Sequence, residues 1–318
     1  MACYLITGVA GFIGAAVARR LVAEGHSVVG IDNLSTGFSG NVPPEVHFIV
    51  DDCHNASLYE GKIPEHKYDA IIHIAGQKSD ETSFEDPVYD LRSNTESTLL
   101  LLRFALKVGC NRFVYSSSMS VYGSQALKEV NEDTLPKPLS CHGVGMLASE
   151  LYLRLYEQFG IRSTSLRLFS VYGPGQNMGN LCQGMVSIFM AMMEEDGHIV
   201  IKGSPNRYRD FVYIDDVVEA FIQTLASEFA AGKVFNVGTG IKTSVGDLVE
   251  ALRQCSGRGV TLEYCGRTPG DIYGIYADIT YASRYLQYEP MVELKEGLAR
   301  MYAWYKSARI PKTDQGPL

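Results

Sequence analysis

The stretch LITGVAGFIGAAVARRLVAEG, Leu5–Gly25, constrains this chain more than any other. A short apolar run ends in glycines at positions 8, 11 and 14, and an amphipathic segment begins at once, from Phe12 to Glu24. Strand, glycine turn and helix mouth in that order gather free backbone amides at the positive end of a helix dipole, where an anion can be met. Glycines also permit tight packing of a helix on a strand, so the loop alone decides little. The second apolar run decides more. This run, SVVGID, ends at Asp32, about 20 residues on, where an acid accepts the hydroxyls of an adenosine ribose. The same acid repels a 2′-phosphate, so the expected cofactor is NAD rather than NADP.

CYLITG, SVVGID, VHFIVD, AIIHIAG, RFVYSSS and STSLRLFSVYG are apolar runs of strand length, with amphipathic segments Phe12–Glu24, Ser93–Lys107 and Met146–Phe159 between them. Such alternation predicts an α/β fold, a doubly wound parallel Rossmann sheet covered by helices on both faces. A further helix should start near Ser244, capped by Thr243 or Ser244. After about residue 168 the character changes, and Met-rich NMGNLCQGMVSIFMAMMEEDG appears. The expected division is an NAD-binding domain over 1–168 with about 211–240, and a smaller interleaved substrate domain over 169–210 and 241–306. The tail PKTDQGPL should fray.

Composition excludes several classes. With 46% hydrophobic and 20% charged residues over 318, the chain can build a large core. A formal charge of −8, with no dense Lys/Arg run, argues against a nucleic-acid partner. No apolar run is long enough to span a membrane, and MACYLITGVAG enters a strand with no basic leader, so a cytoplasmic location is expected. The 7 cysteines form no CxxC pair and no zinc spacing, which suits reduced thiols and predicts no metal.

Eight motifs in order, TGVAGFIG, GIDNLSTG, HIAGQK, SSSMSVYG, LRLFSVYGPGQ, RDFVYIDDVV, FNVGTG and TPGDIYGIYAD, resemble the extended short-chain dehydrogenases/reductases, in particular the nucleotide-sugar epimerases and dehydratases. The likeness runs from about Tyr4 to Trp304. It implies that Gly8, Gly11, Phe12 and Ile13 hold the NAD pyrophosphate. Asp32, Asn33, Ser35, Thr36 and Gly37 would take the adenosine ribose, and Asp52 and Cys53 the adenine. Ala75, Gly76, Lys78, Ser116 and Phe169 would line the rest of the cofactor, with Asn94 as a structural asparagine in a helix that bends near the chemistry. On the sugar-nucleotide side it implies Ser118, Ser170, Arg209, Arg267 and Asp271, with Arg209 pairing with a diphosphate through its guanidinium fork. Ser170 stands where the family has asparagine, and Arg267 lies one residue off the usual spacing. Relatives of this kind also form homodimers through the helices matching Ser93–Lys107 and Met146–Phe159.

One stretch departs from the family. SCHGVGMLASE, Ser140–Glu150, has His142 and Met146 where the resemblance calls for the Tyr and Lys of a Tyr-x-x-x-Lys pair; Glu150 keeps the register. The lysine lowers a phenol pKa from about 10, whereas an unperturbed imidazole, near 6.5, needs no such help. His142 with Ser118 is therefore expected to handle the sugar hydroxyl, with activity falling below about pH 6–7, and Met146 to form an apolar wall beside the cofactor. Met119 and Ser120 replace the Asp-Glu of the 4,6-dehydratases. What remains is transient oxidation at C4 of a UDP-sugar, with UDP-GlcNAc favoured. Net 5,6-dehydration to an exo-glycal is the first reading, as in the UDP-N-acetylglucosamine 5,6-dehydratases of tunicamycin-type antibiotic biosynthesis. The alternatives are a UDP-sugar 4-epimerase with an altered catalytic pair and a pseudoenzyme that only binds nucleotide sugar. Cys141, Ser120 and Tyr122 are candidates for the C5 base or C6 acid.

Overall fold

The computed structural model describes residues 1–123, 125, 129–180, 184–266, 270 and 272–307. The expected sheet is present. Strands β1 (Cys3–Thr7), β2 (Ser27–Asp32), β3 (His47–Val50), β4 (Ala70–His73), β5 (Arg112–Ser118), β6 (Arg162–Leu168) and β7 (Lys233–Val237) pair in parallel, in the order β7-β6-β5-β4-β1-β2-β3. The chain grows outward from β1 on one side and from β4 on the other, so the order reverses between them. In an open α/β sheet that reversal opens a crevice at the carboxyl ends of the strands.

Both faces are apolar because the strands are. Successive residues point to opposite sides, so Ile6, Ile72 and Val114 enter one core cluster while Leu5, Ile71 and Phe113 enter the other. The first cluster is covered by helices Phe12–Ala23 and Ile214–Ala226, the second by Ser97–Val108 and Cys141–Tyr156. Each fully buried Leu or Ile contributes about 1.5–3 kcal/mol. At the crossing from β1 to the first helix, Gly8 has φ 73°, and a Cβ on Gly14 would lie 2.0 Å from the Gly8 carbonyl oxygen. No larger residue fits at position 14 without moving the loop.

Three local details differ from expectation or refine it. The helix expected from Met146 begins at Cys141, because the Ser140 hydroxyl accepts from Gly143 N at 3.1 Å and caps it. His142 and Met146 are thus one turn apart on one face. The segment expected as a helix over Ser93–Lys107 starts as a π-turn, Arg92–Glu96, before the α-helix Ser97–Val108, and this places a distortion at Asn94. The Ser244 cap is present, in a reciprocal capping box with Asp247.

Beyond the main sheet, Ser170–Tyr172 pairs with Phe211–Tyr213, and Tyr208–Arg209 with Thr243–Ser244. These short pairs carry Ser170 and Arg209 to the crevice. Among the described residues, no helix is long and apolar enough to cross a membrane.

Candidate active site

A cleft of about 800 Å³ opens at the carboxyl ends of the strands. Its floor is the loop after β1. Gly11 caps the helix Phe12–Ala23 with no side-chain hydrogen bond, so the first-turn amides of Phe12, Ile13 and Gly14 face the cleft they line. That is a cradle for a pyrophosphate. Asp32 ends β2 with its Oδ2 accepting from Ala10 N at 3.0 Å and its Oδ1 from Leu34 N at 2.8 Å. These bonds fix the carboxylate and hold Leu34 in the left-handed region at φ 60°, while further lone pairs remain for ribose hydroxyls. Asn33 donates to Asp52 Oδ2 at 2.7 Å, which ties the end of β2 to the end of β3. Ser35, Thr36, Asp52, Cys53, Ala75, Gly76, Lys78, Ser116 and Phe169 all line the same cleft. Gly37 instead lies against the Ala10–Gly11 backbone, where a Cβ would come within 2.8 Å. The residues present fit NAD.

Ser118 ends β5, and its hydroxyl caps the turn Met119–Val121, accepting from Ser120 N at 3.1 Å and donating to Ser120 Oγ at 3.1 Å. His142 faces the same cleft with only 2% of its surface exposed, and its Nδ1 has no hydrogen-bond partner. Burial, reinforced by the Lys78 charge and opposed by a hydrogen bond with the Gln77 backbone, pushes the imidazole down to about 3. This corrects the expectation of a ring that titrates near pH 6–7. In the free protein His142 is neutral throughout the usual working range.

The missing cation is also present, from another direction. Met146 is fully buried, with its Sδ 3.3 Å from the Tyr115 hydroxyl and 3.8 Å from Lys78 Nζ. It packs behind the cleft wall. Lys78, on the loop after β4, carries its amine to the helix face where a lysine at 146 would have reached. Burial lowers that amine to about 8, against the attraction of Asp90. Asp90 is pushed up to about 6 by burial, which outweighs hydrogen bonds from Asn94 and Gln77 and the Lys78 charge. Asn94 donates to Asp90 Oδ1 at 3.0 Å and lies under the cleft without lining it. It belongs to the support of Lys78.

Two candidates for the C5 or C6 proton fall outside the cleft. Tyr122 is fully buried, donates to Asn236 Oδ1 at 2.6 Å, and lies 4.7 Å beneath the Arg167 guanidinium. Burial first, then Glu132 and Glu150, raise its phenol, and Arg167 opposes them. It is a core tyrosine in a network where Arg167 and Glu150 form a buried bidentate pair at 2.7 and 3.0 Å. Cys141 opens its helix, but the wall there is formed by His142. Ser120 does line the cleft. Ser170 and Arg209, expected on the sugar-nucleotide side, also line it; Arg209 donates to the Tyr208 carbonyl at 2.7 Å, and burial beside Arg207 lowers its pKa to about 10. Arg267 and Asp271 lie outside the described residues. Gln77, Asp80 and Thr82 line the cleft and were not anticipated, although they come directly at and after the end of the HIAGQK motif.

Known proteins share both the sequence and this arrangement. Residues 4–238 match the family described as NAD dependent epimerase/dehydratase. The UDP-glucose 4-epimerase of Mycolicibacterium smegmatis is 34% identical over 310 residues, covering 95% of this chain and 98% of that one. A UDP-glucose 4-epimerase of Thermotoga maritima, solved with UDP-glucose, superposes with a TM-score of 0.91 at 32% identity, over 96% of this chain and 98% of its own. A UDP-glucose 4-epimerase of Thermus thermophilus, solved with NAD, gives 0.88 at 28% identity, over 96% and 99%. With the glycine loop, the fixed Asp32 carboxylate and these relatives together, the chain belongs to the NAD-dependent epimerase/dehydratase family of nucleotide-sugar enzymes.

Proposed function

We propose that this protein is a UDP-sugar 4-epimerase that works by transient oxidation at C4. The observation that carries the reading is the placement of Ser118 and His142 on one cleft with the dinucleotide cradle. Bound NAD supplies the acceptor for the C4 hydride and returns it. Ser118 and His142 hold and move the hydroxyl proton: the Ser118 hydroxyl bridges toward the substrate oxygen, and the neutral imidazole accepts. A ring held near 3 in the free protein is a weak base, but the anionic ligands entering the cleft offset the Lys78 charge and favour the protonated ring. Sugar-nucleotide contacts would come from Ser170 and Arg209, in a substrate domain spanning 169–210 and 241–306.

Net 5,6-dehydration, the first reading of the altered pair, uses the same oxidation but also needs an acid or base at C5 and C6. Of the three candidates only Ser120 lines the cleft, and the named relatives are 4-epimerases, so epimerisation has the better support. The test is to incubate the NAD-loaded protein with UDP-glucose and with UDP-GlcNAc and examine the products by mass and NMR. Inversion at C4 without change of mass supports the proposal. Loss of one water restores the dehydratase reading, and no product in either case leaves a binding protein.

A further inference from the structure

Asp80 is a carboxylate on the cleft wall that this mechanism does not use. Asp80 opens the short helix Asp80–Glu85 on a wall shared with Ser79 and Thr82. An acid in a first turn commonly just faces the helix dipole, with its oxygens in water. Asp80 differs, because its Oδ1 is closed off from solvent and has no hydrogen-bond partner. Burial pushes its carboxyl up, opposed only by a hydrogen bond with Ser140 and by the Arg209 charge. A buried oxygen left without a donor is a standing cost, and a ligand that supplies the donor removes it.

Its neighbours say which part of a ligand that would be. Ser140 caps the helix whose second residue is His142, and Arg209 lies on the side assigned to the diphosphate. In a nucleotide sugar the hexose ring joins the carbon at which His142 acts to the carbon that carries the diphosphate. Asp80 therefore faces the ring.

We propose that Asp80 determines which sugar is accepted: its carboxylate, turned toward the cleft it lines, takes a hydrogen bond from a sugar hydroxyl or acetamido N–H, and its charge turns away sugars bearing a carboxylate. The substrate class is then a neutral hexose or N-acetylhexosamine on UDP, and not a uronic acid. This rests on the UDP-sugar reading above and narrows it.

Calorimetric titration of the NAD-loaded protein with UDP, UDP-glucose and UDP-glucuronate tests it. UDP-glucuronate should bind at least about tenfold more weakly than UDP-glucose, as like charges in a shielded cleft require. Asp80→Asn keeps the shape and removes the charge, so it should bring the two sugars within about twofold while UDP and NAD affinities stay as in the wild type. Asp80→Ser should show the same levelling. Equal affinities in the wild type, or an unchanged ratio in the variants, would overturn the inference alone. Failure of UDP itself to bind the wild type would overturn the UDP-sugar reading and the inference with it.

Discussion

Acid should destabilise this protein through two buried imidazoles, and His142→Phe should remove one of the two contributions. His73 is fully buried, with ring nitrogens 2.7 Å from Thr7 Oγ1 and 3.3 Å from Ser97 Oγ, and His142 is 2% exposed. Burial, with Lys78 adding to it, lowers both to about 3. The folded state therefore keeps each ring neutral, while the unfolded chain takes up the proton near pH 6.5. Each contribution is fully present above about pH 6.5 and is lost as pH falls from there toward 3. A proton bound only by the unfolded state costs about 1.4 kcal/mol per pH unit, so going from pH 7.5 to 5 removes about 2 kcal/mol per ring and about 4 kcal/mol for both. The figure depends little on the folded value, which lies well below 5. Carboxyls raised by burial, such as Asp90 at about 6, act the other way, since their folded state gains stability as pH falls. Comparing wild type with His142→Phe cancels them. Urea unfolding at the two pH values should show the wild type losing about 2 kcal/mol more than the variant. Equal losses, or a His142 ring proton that titrates near 6.5 by NMR, would refute the reasoning.

Other consequences can be checked separately. Asp32→Ser should erase most of the preference for NAD over NADP, measured as dissociation constants, because it removes the charge that faces a 2′-phosphate. Tyr122→Phe should cost about 1–3 kcal/mol in chemical denaturation, since Asn236 Oδ1 loses its donor, yet leave C4 oxidation in place. Leu151, Leu155 and Phe159 are 55%, 57% and 59% exposed on one side of the Cys141–Tyr156 helix and its end, and Val144 is 55% exposed further toward the start of that helix. A homodimer burying this face is expected in solution by light scattering, and Leu151→Glu with Leu155→Glu should yield monomer.

How much of this could be read from the chain depends on how local each feature is. The cradle and Asp32 were legible because strand, glycines, helix and acid succeed one another within 30 or so residues, each with its own periodicity. The start of the His142 helix was missed because Gly143 and Gly145 weaken helix propensity there; the readable signal was Ser140 as a cap. The place of Lys78 beside Met146 joins residues 68 apart, and no pattern in either segment announces it. Tyr122 shows the same limit, since SSSMSVYG reads alike for a tyrosine in a cleft and one in a core, and Asn236, 114 residues away, decides between them. Asp80 in KSDETS looks like an ordinary first-turn acid, and only the packing around its Oδ1 distinguishes it.

The central claim is that the bound cofactor takes the C4 hydrogen of a UDP-sugar and gives it back. A substrate deuterated at C4 tests this most directly, with the product examined by NMR and mass after turnover in ordinary water. The deuterium should stay at C4 of the product, turnover of the labelled substrate should be slower, and His142→Phe should abolish the conversion while NAD and UDP still bind. Loss of the label to water, or full conversion by His142→Phe, would contradict it.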